Sequence, residues 1–126
     1  MHHVIVGSGP AGVTAAETIR SIDRNADITL IGGEGEAPYS RMAIPYLLHG
    51  DIQEQGTFLR QQAGHYDQLG IKYRNVRIAG IDPTQKTLWT TGIEPIKYDK
   101  LLLATGAAPI IPRIEGHDLP NVHTCW

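Results

Sequence analysis

The stretch His2-His3-Val4-Ile5-Val6-Gly7-Ser8-Gly9-Pro10-Ala11-Gly12 decides the reading of this chain, because an apolar, β-branched run breaks there into three glycines spaced as GxGxxG. In that pattern Gly7 permits a tight turn out of a strand, Gly9 lets the backbone approach phosphate oxygens, and Gly12 lets the next helix pack closely on the sheet. Unpaired N–H groups in the first turn of such a helix then face an anion, assisted by the positive end of the helix dipole. With 14 glycines in 126 residues, the spacing alone also suits an ordinary loop. The strand-like run before it and a helical pattern after it supply the context the fingerprint requires.

From Pro10 to Asp23, apolar side chains fall at Ala11, Val13, Ala15, Ala16, Ile19 and Ile22, with Glu17, Arg20 and Asp23 between them. This is a helical period, and proline is tolerated in the first turn. Asp27-Ile28-Thr29-Leu30-Ile31-Gly32 reads as a second buried strand, completing a βαβ unit. Glu34 stands 22 positions after Gly12, close to the roughly 20 expected for a carboxylate that accepts hydrogen bonds from a ribose. Glu36 competes for that role, and a solvated loop glutamate is the plainer alternative. A carboxylate at the ribose would repel a 2′-phosphate, which argues against NADP at this site.

Beyond the βαβ unit, Ala37 to Gly50 reads as a loop leading into a short apolar helix stopped by Gly50. Arg41 in this loop has a planar fork of donors suited to phosphate or ribose, although a surface role fits the spacing equally well. A weaker helical pattern runs from Phe58 to Leu69, with Tyr66 and Leu69 on one side and Gly70 placed to end it. Strand-like runs follow at Ile71 to Tyr73, Val76 to Asp82 and Lys86 to Thr91, the last two separated by the turn Asp82-Pro83-Thr84-Gln85. That order predicts a strand, a hairpin and a return to the sheet.

Tyr98-Asp99-Lys100-Leu101-Leu102-Leu103 then reads as a strand whose apolar run, Leu101 to Leu103, leads into the small-residue turn Ala104-Thr105-Gly106-Ala107-Ala108-Pro109. Such a run predicts a central parallel strand buried on both faces. Thr105 and Gly106 at its carboxyl end would lie at the edge where open α/β sheets bind ligands, or would form a plain turn. Ile110 to Trp126 is punctuated by proline and glycine and reads as an extended connector.

Composition narrows the function classes. The chain has room for one domain, with 41% apolar residues for a core. Its 11 Lys and Arg against 13 Asp and Glu give a formal charge of −2, so charge implies neither nucleic acid nor an anionic membrane as partner. No stretch reaches the ~18 to 20 apolar residues of a membrane span, and the N-terminal run is too short for a signal peptide, which makes the cytoplasm the expected location. The single cysteine, Cys125, has no partner for an internal disulfide or a CxxC pair. The six histidines are scattered, without ligand spacing for a metal.

Together, Val4 to Gly12, the loop Pro38-Tyr39-Ser40-Arg41 and the run Leu101 to Pro109 closely resemble the FAD-dependent pyridine nucleotide-disulfide oxidoreductase superfamily, in its ferredoxin-, rubredoxin- and nitrite-reductase-like and NADH oxidase-like branches. The resemblance implies an α/β, Rossmann-like FAD-binding domain: a parallel sheet plus a small β-hairpin or meander, incomplete at its C-terminus. It implies FAD at Gly7, Gly9, Pro10, Ala11 and Gly12, with Glu34 on the adenosine ribose, Arg41 near the FAD, and Thr105 and Gly106 packed against the flavin cofactor. Residues 1–109 would be the first part of that domain and 110–126 a connector toward an NAD(P)H domain beyond this chain. NAD(P)H is thereby implied as hydride donor for a longer parent, with a small redox protein as a candidate acceptor and room for an oligomer.

Two departures from the resemblance bear on chemistry. Tyr46 stands where the ferredoxin-reductase-like pattern has a lysine, and Met42 where the NADH oxidase-like pattern has a redox cysteine. A thioether forms no thiolate, which excludes a cysteine-based mechanism at that position, and no catalytic residue is expected in this segment. The alternative reading is a non-catalytic module binding NAD, ADP or FAD. A short-chain dehydrogenase is disfavoured, since no Tyr-x-x-x-Lys pair occurs: Tyr73 and Tyr98 are followed four residues on by Arg77 and Leu102.

Overall fold

A computed structural model describes residues 1–124; Cys125 lies outside the described residues. The chain runs β1 (His2–Val6), α1 (Pro10–Ile22), β2 (Asp27–Gly32), a 3-10 turn at Arg41–Ala43, α2 (Ile44–His49) and a second 3-10 turn at Glu54–Thr57. It continues through α3 (His65–Gln68), β3 (Ile71–Asn75), β4 (Ile78–Asp82), β5 (Thr87–Thr90), β6 (Ile96–Lys97) and β7 (Lys100–Leu103). Residues 104–124 contain turns but no helix or strand.

Four strands form a parallel sheet in the order β3-β2-β1-β7. The first βαβ unit falls where the sequence predicts it, with the second strand at the same residues and the helix ending one residue earlier. Alternation along β1 and β2 divides the core into two layers. Ile5, Ile28 and Leu30 pack with Val13 and Ala16 of α1 on one face, while Val4, Val6 and Ile31 meet Leu88 of β5 on the other. The antiparallel meander β4-β5-β6 therefore covers the face opposite the helix. Covering both faces is what a parallel sheet requires.

The C-terminal end of α1 is tied down by one side chain. Arg20 donates to the carbonyls of Leu69 (2.6 Å), Arg24 (2.6 Å), Ala26 (2.8 Å), Gly70 (3.1 Å) and Asp23 (3.3 Å). It joins the loop that follows α1 to the turn preceding β3, satisfying backbone carbonyls that no strand or helix pairs.

Two expectations are corrected. The apolar run in β7 predicts a strand buried on both faces, but among the described residues β7 lies at the edge of the sheet and pairs with β1 alone. Leu101 packs against the core, whereas Leu102 and Leu103 are 41% and 55% exposed. The pattern of Phe58 to Leu69 predicts a helix, but only His65–Gln68 is helical. The preceding backbone is used elsewhere: Phe58 bridges Tyr39, Leu59 N–H donates to the Pro38 carbonyl, and Gly64 takes the left-handed conformation just before the helix.

Among the described residues no helix is long and apolar enough to cross a membrane.

Candidate functional site: a cleft at the carboxyl edge of the sheet

β1, β2 and β7 all end at one edge, and the loops leaving them converge there. Gly7 N–H donates to the Ile31 carbonyl at 2.8 Å and Ala104 N–H to the Val6 carbonyl at 2.7 Å, so pairing continues into the glycine loop. The three glycines then do different work. Gly7 has φ +111°, and a Cβ there would lie 2.1 Å from the Ala104 carbonyl oxygen. Gly12 is buried, and its Cβ would lie 1.8 Å from the Gly7 carbonyl oxygen.

Gly9 is different in kind. Its backbone is ordinary extended chain (φ −74°, ψ −175°), and a Cβ there would meet no neighbouring heavy atom of the described residues within 4 Å. The fold therefore places no demand for glycine at this position. The space its missing side chain leaves opens into a cleft of about 700 Å³ that Gly9 lines. Gly9 is also the N-cap of α1, with no side-chain cap and no acidic residue in the first turn. The first N–H groups of a helix lack intrahelical acceptors, and the 13-residue length of α1 adds a favourable dipole for an anion.

The cleft brings together Gly7, Gly9, Pro10, Ala11, Glu34, Arg41, Thr105 and Gly106. Gly12 is the one predicted site residue outside the lining; it acts from beneath, setting the distance between helix and loop. Glu36, the competing carboxylate, also borders the cleft, and its carbonyl accepts the Tyr73 hydroxyl at 2.8 Å. Glu34 is the one held by side chains: the Tyr39 hydroxyl donates to its Oε2 at 2.6 Å, and the Arg41 guanidinium pairs with its Oε1. The Tyr39 hydrogen bond, reinforced by Arg41 and the nearby Arg77 charge, holds the Glu34 carboxyl below its ordinary value despite partial burial.

Met42 and Tyr46, the two departures noted above, are 83% and 57% exposed, and Met42 borders the cleft. Tyr39 and Arg77 also line the cleft, and the sequence assigns neither a role of its own. Arg77 had a readable signal. It follows β3, and Val76 N–H donates to the Gly32 carbonyl at 2.8 Å, so the chain must leave β3 at the same edge as the glycine loop. Tyr39 had none, because its partner Glu34 depends on how the intervening loop folds back.

A parallel sheet flanked by a helix, with a glycine loop and a carboxylate at its carboxyl edge, is the architecture of dinucleotide-binding α/β domains. The chain belongs to the pyridine nucleotide-disulphide oxidoreductase family, which it matches over residues 1–125. It is 34% identical to an NADH oxidase of Methanocaldococcus jannaschii, covering 97% of this chain and 29% of that protein. It is 35% identical to a rhodocoxin reductase of Rhodococcus erythropolis, covering 98% of this chain and 29% of the relative. The crystal structure of a ferredoxin reductase for the CYP199A2 system of Rhodopseudomonas palustris superimposes with a TM-score of 0.84 at 28% identity, over 96% of this chain and 30% of that one. The chain thus spans less than a third of the length of these proteins.

Proposed function

We propose that the cleft binds FAD, with its pyrophosphate at Gly9 and the α1 terminus, its adenosine ribose at Glu34, and its flavin end toward Thr105 and Gly106. The observation that carries this reading is Gly9, a glycine the fold does not need, at a helix end that no side chain caps. FAD supplies the electron-transfer chemistry when bound, and the protein supplies position and electrostatics. Gly7 and Gly12 set the loop height, and the Pro10 and Ala11 backbone borders the pyrophosphate. Glu34 orients the ribose, and Arg41, paired with Glu34, brings a cation to the same end of the cleft.

The whole protein would be an NAD(P)H-dependent flavin oxidoreductase passing electrons through FAD to an acceptor such as a small redox protein, consistent with the names of the rhodocoxin and ferredoxin reductases it resembles. Residues 1–109 would be the first part of the FAD domain and 110–126 a connector toward the nicotinamide-binding part. Met42, in place of a cysteine, leaves that position without a thiolate to take part.

The test is the visible absorption spectrum of the purified protein, with the released cofactor identified by chromatography. Bound FAD supports the reading. A colourless protein that takes up NAD or ADP but no added FAD would replace it with a simple nucleotide-binding module.

A further inference from the structure

The loop bearing Arg41 is pinned from behind. Ser40 N–H donates to the Thr57 carbonyl at 2.9 Å, Leu59 N–H donates to the Pro38 carbonyl at 3.0 Å, and Tyr39 forms an antiparallel bridge with Phe58. The backbone of Tyr39 is thereby fixed by a segment outside the glycine loop and the strand ends. From that anchored position the phenol reaches Glu34 Oε2, while Arg41, two residues on, reaches Oε1.

An ionised carboxylate has about four lone-pair positions, two on each oxygen. With one donor from the described residues on each oxygen, Glu34 retains one acceptor position per oxygen, which matches the two hydroxyls of a ribose diol. The two donors also remove the freedom of a glutamate that the residue string would leave to swing in a glycine-rich turn, Gly32-Gly33-Glu34-Gly35. A carboxylate already oriented binds a diol without the entropic cost of ordering its side chain.

We propose that Tyr39 is a positioning residue for Glu34, holding the carboxylate in the one orientation in which its two unused acceptor positions receive the 2′- and 3′-hydroxyls of the adenosine ribose. This rests on the assignment of Glu34 to the ribose of FAD. Tyr39 touches no reacting atom, and its effect passes through Glu34.

The groups facing Glu34 are Tyr39 and Arg41 from the loop and its 3-10 turn and Arg77 after β3; Glu36 borders the same cleft. The Tyr39 hydrogen bond is the largest single interaction keeping Glu34 ionised, with the hydrogen bond and the charge of Arg41 beside it, while burial acts against them. Removing the phenol hydroxyl moves the protonation of Glu34 upward in pH as well as loosening it.

The experiment is FAD titration of the purified flavin-stripped protein and its Tyr39→Phe, Glu34→Ala and doubly substituted variants, with affinity read by quenching of flavin fluorescence across pH 4 to 8. Loss of one hydrogen bond to a charged group predicts about tenfold weaker FAD binding for Tyr39→Phe at neutral pH. It also predicts an acid limb of binding shifted to higher pH. On the Glu34→Ala background, Tyr39→Phe is expected to change nothing further and the shifted limb to be absent. The same loss on both backgrounds, or no loss on the native one, overturns the role of Tyr39 while leaving Glu34 at the ribose. Unchanged FAD affinity in Glu34→Ala overturns the ribose assignment itself, and the proposal with it.

Discussion

Gly12 lies against the carbonyl oxygen of Gly7 so closely that a Cβ on Gly12 would sit 1.8 Å from it. The oxygen belongs to backbone whose own N–H is hydrogen-bonded to Ile31, so neither partner can retreat cheaply. Gly12→Ala is expected to destabilise the protein by at least the ~1 to 3 kcal/mol typical of overpacking. Urea unfolding checks this, and an unchanged midpoint would mean that α1 can lift from the loop without cost.

Arg20 makes a second structural prediction. Its guanidinium serves carbonyls of the loop between α1 and β2 and of the turn before β3. Arg20→Ala leaves part-buried acceptors without their donor, at a cost of about 1 to 3 kcal/mol. Arg20→Lys should recover only part of it, because a point charge cannot replace a planar fork. Thermal denaturation of both variants gives the comparison; full recovery by lysine would reduce the role of Arg20 to charge.

The Glu17 carboxylate ties α1 to the segment leading into α3. Arg60 donates to both its oxygens at 2.8 and 2.5 Å, and His65 Nε2 lies 2.8 Å from Oε1. Burial pushes the Glu17 carboxyl upward, but the hydrogen bonds from Arg60 and His65 outweigh it, leaving it below its ordinary value of 4.5. A carboxyl lowered by folding contributes stability that is complete above that ordinary value and is lost as pH falls through the folded one. Stability should therefore decline below about pH 4.5, and Glu17→Gln should reduce stability at pH 7 while flattening that decline. An acid limb identical in Glu17→Gln would place the titrating group elsewhere.

Tyr66 packs against the helix-side core, stacked on Tyr73 with ring centroids 6.1 Å apart. Its hydroxyl is buried without a hydrogen-bond partner among the described residues, and burial pushes its ionisation up to about 12. Tyr66→Phe removes an unpaired polar atom and keeps the ring. It is expected to be neutral or to stabilise by up to ~1 kcal/mol. A clear fall in melting temperature would show that the hydroxyl is paired in solution.

The βαβ unit was legible in the sequence because its signals are local: β-branched runs, a helical period and a proline in the first turn all point the same way. The sheet edge that carries the site followed from the position of the glycines between β1 and α1. What the sequence concealed depends on contacts between distant segments. Leu101, Leu102 and Leu103 look alike as a run, yet Leu101 packs on the core and the next two are exposed, because burial depends on what lies beside β7. Phe58 and Leu59 carry a helical pattern but extend to pair with Pro38 and Tyr39. Glu34 and Arg41 each stand out in the sequence as candidate ligand contacts, and both line the cleft. Their pairing with one another, and the part of Tyr39 in it, required the loop to close.

The most direct measurement is the flavin content of the Gly9→Asp protein, purified alongside the native form and compared in unfolding midpoint. Gly9 has an ordinary backbone conformation and open space at its Cβ, so aspartate should leave the fold intact. Its carboxylate would nonetheless occupy the space assigned to the pyrophosphate, at the helix end that favours an anion. The expected result is a folded protein with no bound FAD, whose midpoint in the absence of flavin is equal to or above the native one, because aspartate also caps α1. A Gly9→Asp protein that retains a full equivalent of FAD would contradict the assignment of this cleft.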